Sequence, residues 1–383
     1  MVRISIKFIG ICFLFACLNV WAQFHQTNFW RKLYPHSKST IVNQADILFV
    51  IDNSFSTDSY HNNLDSRLSN FISQLTGIDY RIAVTTSGVL CNGGRYLLPV
   101  PPAYNNPPTA GDMVLTDIGG GNGSNCVFDP AYTAATTPNY YSVLGTNESY
   151  GRYIMDGLIM PLKNSPGFWI TNTTPSAQLV LGDTIVETGV QGSWSEQSIK
   201  AVYRAVYRSQ LNDINGYNIN NINFFRPSAS FIVIMLSDAT ESGILPDNQA
   251  VNLKNYVDSV WPQKNFHYHS IYNANWDQNP PCESLRGLLE SCTLGQYTQI
   301  TNLTNGIFWD IDNGNYTTPM SNMGAQVRAA SRVVKLDCVP YSGVTVTGPG
   351  AVPTYTVAGN VVTFATNFTT PGSYTFNYRC RTP

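Results

Sequence analysis

Asp46-Ile47-Leu48-Phe49-Val50-Ile51-Asp52-Asn53-Ser54-Phe55-Ser56 is the stretch from which the fold can be read. Ile47 to Ile51 is a continuous apolar run with β-branched side chains, as expected of a strand buried on both faces of a parallel sheet. It stops abruptly in a largely polar loop. Beyond the loop, Leu64, Leu68, Phe71, Ile72 and Leu75 recur at helical spacing and predict one amphipathic helix, with Gly77 as its stop. Tyr80 to Thr86 reads as a second strand. Strand, loop, helix and strand make a βαβ unit.

The pattern returns downstream. Ser195 to Leu211 reads as a helix, with Ile199, Val202 and Val206 on one side, and Phe231 to Leu236 as a second fully buried strand ending at Ser237-Asp238. Asn248–Trp261 and Cys282–Leu294 are predicted helices, and Phe266–Tyr272 and Ile307–Trp309 predicted strands. Met323–Val334 is the last predicted helix. This alternation implies an α/β fold, a doubly wound and mostly parallel Rossmann-like sheet over residues 45–335. A long insertion at about 88–180, rich in Pro, Gly, Tyr and Asn, interrupts it. From Lys335 the period becomes two. Val344–Thr347, Tyr355–Val357, Val361–Phe364 and Tyr374–Tyr378 alternate between turn signals, so residues 336–383 are expected to form a small antiparallel β module. Residues 23–44 read as a polar, irregular arm.

Of the 383 residues, 43% are hydrophobic but only 12% charged, about half the charge usual for soluble domains. A formal net charge of −2 provides no basic field for nucleic acid. Arg3 and Lys7 precede the apolar run Phe8–Val20, and Ala22 precedes Gln23, the layout of a cleaved signal peptide spanning 1–22. The run is short for a membrane span. A lipid anchor at Cys17 is the alternative. The expected location is therefore secreted, periplasmic or cell-surface. Of eight cysteines, Cys12 and Cys17 fall in the leader, which leaves six. An even number in an oxidising compartment suggests disulfides. Several pairings remain open. Local pairing would join Cys91 to Cys126, Cys282 to Cys292 and Cys338 to Cys380.

In a doubly wound sheet, ligands bind outside the carboxyl ends of the strands. Three segments fall there: the Asp52-x-Ser54-x-Ser56 loop, Asp238, and Gly192-Ser193-Trp194-Ser195. Two carboxylates and several hydroxyls are hard oxygen donors. They suit Mg²⁺ foremost, with Ca²⁺ or Mn²⁺ as alternatives.

Here the chain resembles the von Willebrand factor A (vWA) family and its metal-ion-dependent adhesion site. Asp52-x-Ser54-x-Ser56 after a buried strand matches the opening motif, Tyr80–Thr86 the second strand, and Leu236-Ser237-Asp238 the strand that delivers the second aspartate. The wording is similar to secreted bacterial members, through Asp52-Asn53-Ser54, Glu196-Gln197 and Phe224-Phe225-Arg226-Pro227. The resemblance implies metal ligands at Asp52, Ser54, Ser56, Ser193 and Asp238. Ser193 stands where the family usually supplies threonine, with Ser195 as a substitute. Phe55 replaces a common glycine and is expected at the rim.

The function implied is adhesion-type binding, with the ion's open position taken by an acidic residue of a protein ligand. Two alternatives stand beside it: a structural envelope protein whose metal stiffens the loops, and a metal-dependent hydrolase. The last lacks an evident general base. Glu241 is read as solvated or as a neighbour of the ligands. His267 and His269 are read as packing or surface residues.

Overall fold

The computed structural model describes residues 33–89, 157–190, 196–211, 219–241, 246–278 and 295–381, together with a few short strands between 115 and 153. The leader 1–22, most of the insertion, Ser193 and Ser195, and the segment Cys282–Leu294 lie outside the described residues. So do Cys91, Cys282 and Cys292, and with them two of the three local cysteine pairings.

In chain order the strands are β1 (Leu33–Ile41), β2 (Gln44–Ile51), β3 (Asp79–Thr86), β4 (Leu115–Asp117), β5 (Cys126–Phe128), β6 (Ser142–Val143), β7 (Arg152–Tyr153), β8 (Ile170–Thr171), β9 (Ser230–Ser237), β10 (Phe266–Tyr272), β11 (Phe308–Asp310), β12 (Val333–Lys335), β13 (Thr345–Thr347), β14 (Tyr355–Ala358), β15 (Val361–Phe364) and β16 (Ser373–Arg381). The helices are α1 (Asp58–Asp65), α2 (Leu68–Ser73), α3 (Ala177–Glu187), α4 (Ser198–Ser209), α5 (Ile219–Phe224), α6 (Ala250–Val260), α7 (Ala274–Gln278), α8 (Gln296–Leu303) and α9 (Thr317–Ala330).

The main sheet has six strands in the order β11-β10-β9-β2-β3-β8. All its pairings are parallel except β3 with β8 at one edge. Every residue of β2 is buried, because helices cover both faces. Ile47, Phe49 and Ile51 point to one core, with residues of α1, α2, α3 and α9. Leu48 and Val50 point to the other, with residues of α4, α6 and α8. The two-residue alternation of a strand divides the run in this way. Phe49 meets Phe71 edge to face at 5.7 Å, and truncating it to alanine would cost about 3–5 kcal/mol. The chain leaves β2 for β3 on one side and meets β9 on the other. The carboxyl end of β2 is therefore the switch point of the sheet.

Several boundaries differ from expectation. The single helix predicted after the Asp52 loop is broken into α1 and α2, which still bury Leu64, Leu68 and Phe71 on one side. Gly77 turns the chain at φ +80°. The insertion is shorter than 88–180. From residue 157 the chain is back in the domain, where Met160, Leu162, Ile170, Leu181 and Ile185 join the core. The last helix begins at Thr317, and Val333–Lys335 is already a strand. A Cβ on Gly324 would lie 2.8 Å from the Phe71 carbonyl oxygen, so glycine lets α9 approach α2 closely.

The C-terminal module consists of two three-stranded antiparallel sheets, β1-β16-β13 and β12-β15-β14. They enclose Val334, Leu336, Val346, Val362, Phe364, Phe368, Tyr374 and Phe376. Residues 33–41, read as irregular from sequence, are in fact a nine-residue strand paired with β16 from Leu33↔Arg381 to Ile41↔Ser373. No local signal announces this, because most β1 side chains are exposed and the apolar ones do not alternate with the polar. A disulfide joins Cys338 to Cys380, as local pairing suggested.

Phe224-Phe225-Arg226-Pro227 lies at the opposite end of the sheet from the Asp52 loop. The Arg226 backbone N–H donates to Asp46 Oδ2 at 2.7 Å and its Nε to Oδ1 at 2.8 Å. Its Nη2 also reaches the Ala45 and Asp79 carbonyls. The motif clamps the start of β2.

Candidate metal centre

Asp52 sits where β2 runs out. Its N–H donates to the Leu236 carbonyl at 2.9 Å, and the Ser87 N–H donates to the Ile51 carbonyl at 2.9 Å. The ends of β2, β3 and β9 are thus laced together beneath the loop. The Asp52 carboxylate is fully buried. Its Oδ1 accepts the Ser54 N–H at 2.9 Å, the local bond that makes an Asp-x-Ser turn. Its Oδ2 accepts the Ser237 hydroxyl at 2.7 Å. The Asp52 carbonyl takes the Thr57 hydroxyl at 3.0 Å and lies 2.7 Å from His61 Nε2. Burial pushes the His61 pKa down, so the ring is neutral and donates through Nε2. Ser237, Thr57 and His61, which hold the loop, were not singled out from sequence.

Ser54 and Ser56 place their hydroxyls 3.3 Å apart. The charge of Asp238, which is partly exposed, is felt at Asp52. The sequence-predicted residues Asp52, Ser54, Ser56 and Asp238 therefore gather at one place. Ser193 and the Phe55 side chain lie outside the described residues, so neither is placed.

The structure adds Glu196. It is 6% exposed and near enough to Asp52 for the two charges to repel. The sequence named Glu196 only in the Glu196-Gln197 wording ahead of a helix, with no role as a ligand. The helix begins later, at Ser198, which frees Glu196 to face the acids. Its position directly ahead of a helix, next to the predicted middle loop, was the available signal.

The acids raise one another. Burial, then the Asp238 charge, lifts the Asp52 pKa to about 7. Burial and then Asp52 lift Glu196 well above the carboxylate range. Asp238 is raised by burial, with the Asp312 charge adding to it. Around the rim, Asp312 accepts from Tyr60 at 3.1 Å and from Asn273 at 2.8 Å.

The donor set is mixed. Among the described residues, no group of three or more His, Cys, Asp or Glu side chains is arranged to hold a metal ion. The hydroxyls on the Asp52 loop are those of Ser54 and Ser56, 3.3 Å apart. Two further hydroxyls, Ser87 Oγ and Thr240 Oγ1, are buried without a partner on the adjoining loops. Buried polar atoms of this kind are costly unless something completes them. Carboxylates, hydroxyls and orphaned oxygens fit a hard divalent cation.

Glu241 is fully buried rather than solvated, and it bonds the first turn of α4. The His267 and His269 rings stack at 6.4 Å. His269 Nδ1 accepts the Ile307 N–H at 3.0 Å next to β11. Among the described residues, no helix is long and apolar enough to cross a membrane.

No family model and no curated protein matches the chain. Among solved structures, it is similar to a von Willebrand factor type A protein from Catenulispora acidiphila at 10% identity and a TM-score of 0.35, covering 90% of this chain and 64% of that one. The pilus adhesin SpaC from Lactobacillus rhamnosus GG is similar at 11% identity and a TM-score of 0.32, covering 91% and 41%. Proximal thread matrix protein 1 from the mussel byssus is similar at 10% identity and a TM-score of 0.33, covering 79% and 52%. The chain thus spans less than two thirds of the length of each of these structures.

Proposed function

We propose that this chain is an exported binding protein of the vWA type that recognises a protein ligand through a divalent cation, Mg²⁺ foremost. Asp52, Ser54, Ser56 and Asp238 would hold the ion, with Ser193 contributing from the middle loop. The observation that carries the reading is the fully buried Asp52, its Oδ1 on the Ser54 N–H at 2.9 Å, beside the Ser54 and Ser56 hydroxyls 3.3 Å apart at the switch point of the sheet. Acids in mutual repulsion inside a protein need a cation or protons. Neutral hydroxyls leave a divalent ion only partly neutralised, so it remains open to a carboxylate supplied by the partner.

Export rests on the 1–22 leader and is supported by the Cys338–Cys380 disulfide, since such bonds persist in oxidising compartments. The test is calorimetric titration of the metal-stripped mature protein with Mg²⁺, Mn²⁺ and Ca²⁺. Saturable uptake of one ion per chain is expected. No uptake of any of the three ions would sink the reading.

A further inference from the structure

Behind the acids lies a buried polar knot that metal binding as proposed leaves unused. Glu241 Oε2 accepts the Ile199 N–H at 2.9 Å and its Oε1 the Lys200 N–H at 3.2 Å. The first N–H groups of a helix have no partner within the helix. In α4 they are satisfied by a carboxylate from another loop, the one that carries Asp238. Asn248 Nδ2 donates both to Glu241 Oε1 at 2.9 Å and to Gln197 Oε1 at 3.2 Å. Lys200 Nζ reaches the same Gln197 oxygen at 3.1 Å. Gln197 follows Glu196 directly, and its N–H donates to the Ser87 carbonyl at 3.2 Å. Glu241, Asn248, Gln197, Lys200, Ile199 and Ser87, the residues in this chain of bonds, are all buried.

We propose that Glu241 is a positioning residue for the metal centre: through Asn248 and the α4 N–H groups it locks the Asp238 loop to the Glu196–Gln197 segment. The inference rests on the metal reading and deepens it. Asp238 and Glu196 lie on segments far apart in sequence, and the Glu241 knot holds those segments at one spacing. Groups that orient metal ligands from behind set affinity almost as strongly as the ligands do. An ion bound at Asp238 would also be felt at the start of α4, because Glu241, on the same loop, bonds the first N–H groups of that helix.

The experiment measures Mg²⁺ affinity and thermal stability for Glu241→Ala, Glu241→Gln and Asn248→Ala. Asn43→Ala serves as the control. It removes a buried amide that bonds the Phe368 backbone at the other end of the sheet. Glu241→Ala and Asn248→Ala are expected to weaken Mg²⁺ binding about tenfold or more. Glu241→Gln, which keeps one accepting oxygen, should recover most of that loss. Asn43→Ala should lower the melting temperature yet bind Mg²⁺ like the wild type. In the wild type, Mg²⁺ should slow hydrogen exchange at the Ile199 and Lys200 amides. Should Glu241→Ala fail to fold, Asn248→Ala decides. Wild-type affinity in Asn248→Ala, or a loss no greater than in Asn43→Ala, overturns the positioning role while leaving the metal centre standing. A wild-type protein that takes up no divalent ion would instead overturn the metal reading, and the positioning role with it.

Discussion

The Ser237 hydroxyl donates to Asp52 Oδ2 at 2.7 Å, joining the last residue of β9 to the first residue beyond β2. One Asp52 oxygen is thereby oriented by a neighbouring strand and the other by its own loop through the Ser54 N–H. A carboxylate held at both oxygens loses little freedom when an ion arrives, which favours tight and geometrically selective binding.

Asp52→Ala and Asp238→Ala should each abolish the Mg²⁺ heat signal, because each removes a carboxylate from a set with few charges. Both residues lie at a strand end or in a loop, so the fold should persist with unchanged far-UV circular dichroism. Wild-type Mg²⁺ affinity in both variants would show that the ion sits elsewhere.

The metal-free protein should lose stability as pH rises from 6.5 to 8. Glu241 is raised by burial to about 8, and Asp52, by burial and the Asp238 charge, to about 7. Both folded values lie above the unfolded ones, near 4. The folded chain therefore binds extra protons between those limits, and the stability they confer is lost as pH climbs through 7 and 8. Each group contributes at most about 1.4 kcal/mol per pH unit inside its window. Below 6.5 the trend is opposed by His61 and His269, which burial keeps neutral in the fold. Thermal melts in chelator measure this. Glu241→Gln should flatten the slope, and saturating Mg²⁺ should offset it.

Arg226→Ala should destabilise the domain by about 3 kcal/mol or more. It strips the Nε hydrogen bond and its ion pair from the fully buried Asp46, which keeps the backbone N–H of residue 226 as a donor and Lys264, 3.7 Å away, as its remaining ion pair. Arg226→Lys should rescue little, since lysine lacks the planar fork that reaches the Asp46 side chain and two carbonyls together. Urea unfolding reads both. The clamp lies at the far end of the sheet from Asp52, so Mg²⁺ affinity should survive in whatever fraction stays folded.

Replacing Cys338 and Cys380 with serine should cost about 2–4 kcal/mol, chiefly by freeing the unfolded chain. The bond closes a stretch of 42 residues that holds most of the C-terminal module. Thiol titration of denatured, unreduced wild type should find neither cysteine free, and peptide mapping should recover the two joined.

Partner binding, once a ligand is in hand, should vanish in excess chelator while the thermal transition stays visible. Full binding with the metal confirmed absent would leave the domain as a scaffold that recognises its ligand by other means.

How much was legible follows from where each signal resides. The run Ile47–Ile51, the alternation of strands and helices, the change to a two-residue period after Lys335, and the Asp52-x-Ser54-x-Ser56 motif are local. Local periodicity records which faces of an element are buried, so the doubly wound sheet and the polar loop that follows its first buried strand could be read directly. The strand β1 could not, because its partner β16 lies at the other end of the chain and an exposed strand carries no burial pattern. Glu196 was named only within the Glu196-Gln197 wording, because nothing local shows that it is buried beside Asp52. Ser237, Glu241 and Asn248 became meaningful only when three loops met at the ends of β2, β3 and β9. By itself the sequence determined the layers of the fold and the loop on which the proposed site sits. The tertiary structure alone decided which buried side chains face that loop, since their interactions join segments remote in sequence and depend on how the strands and helices pack.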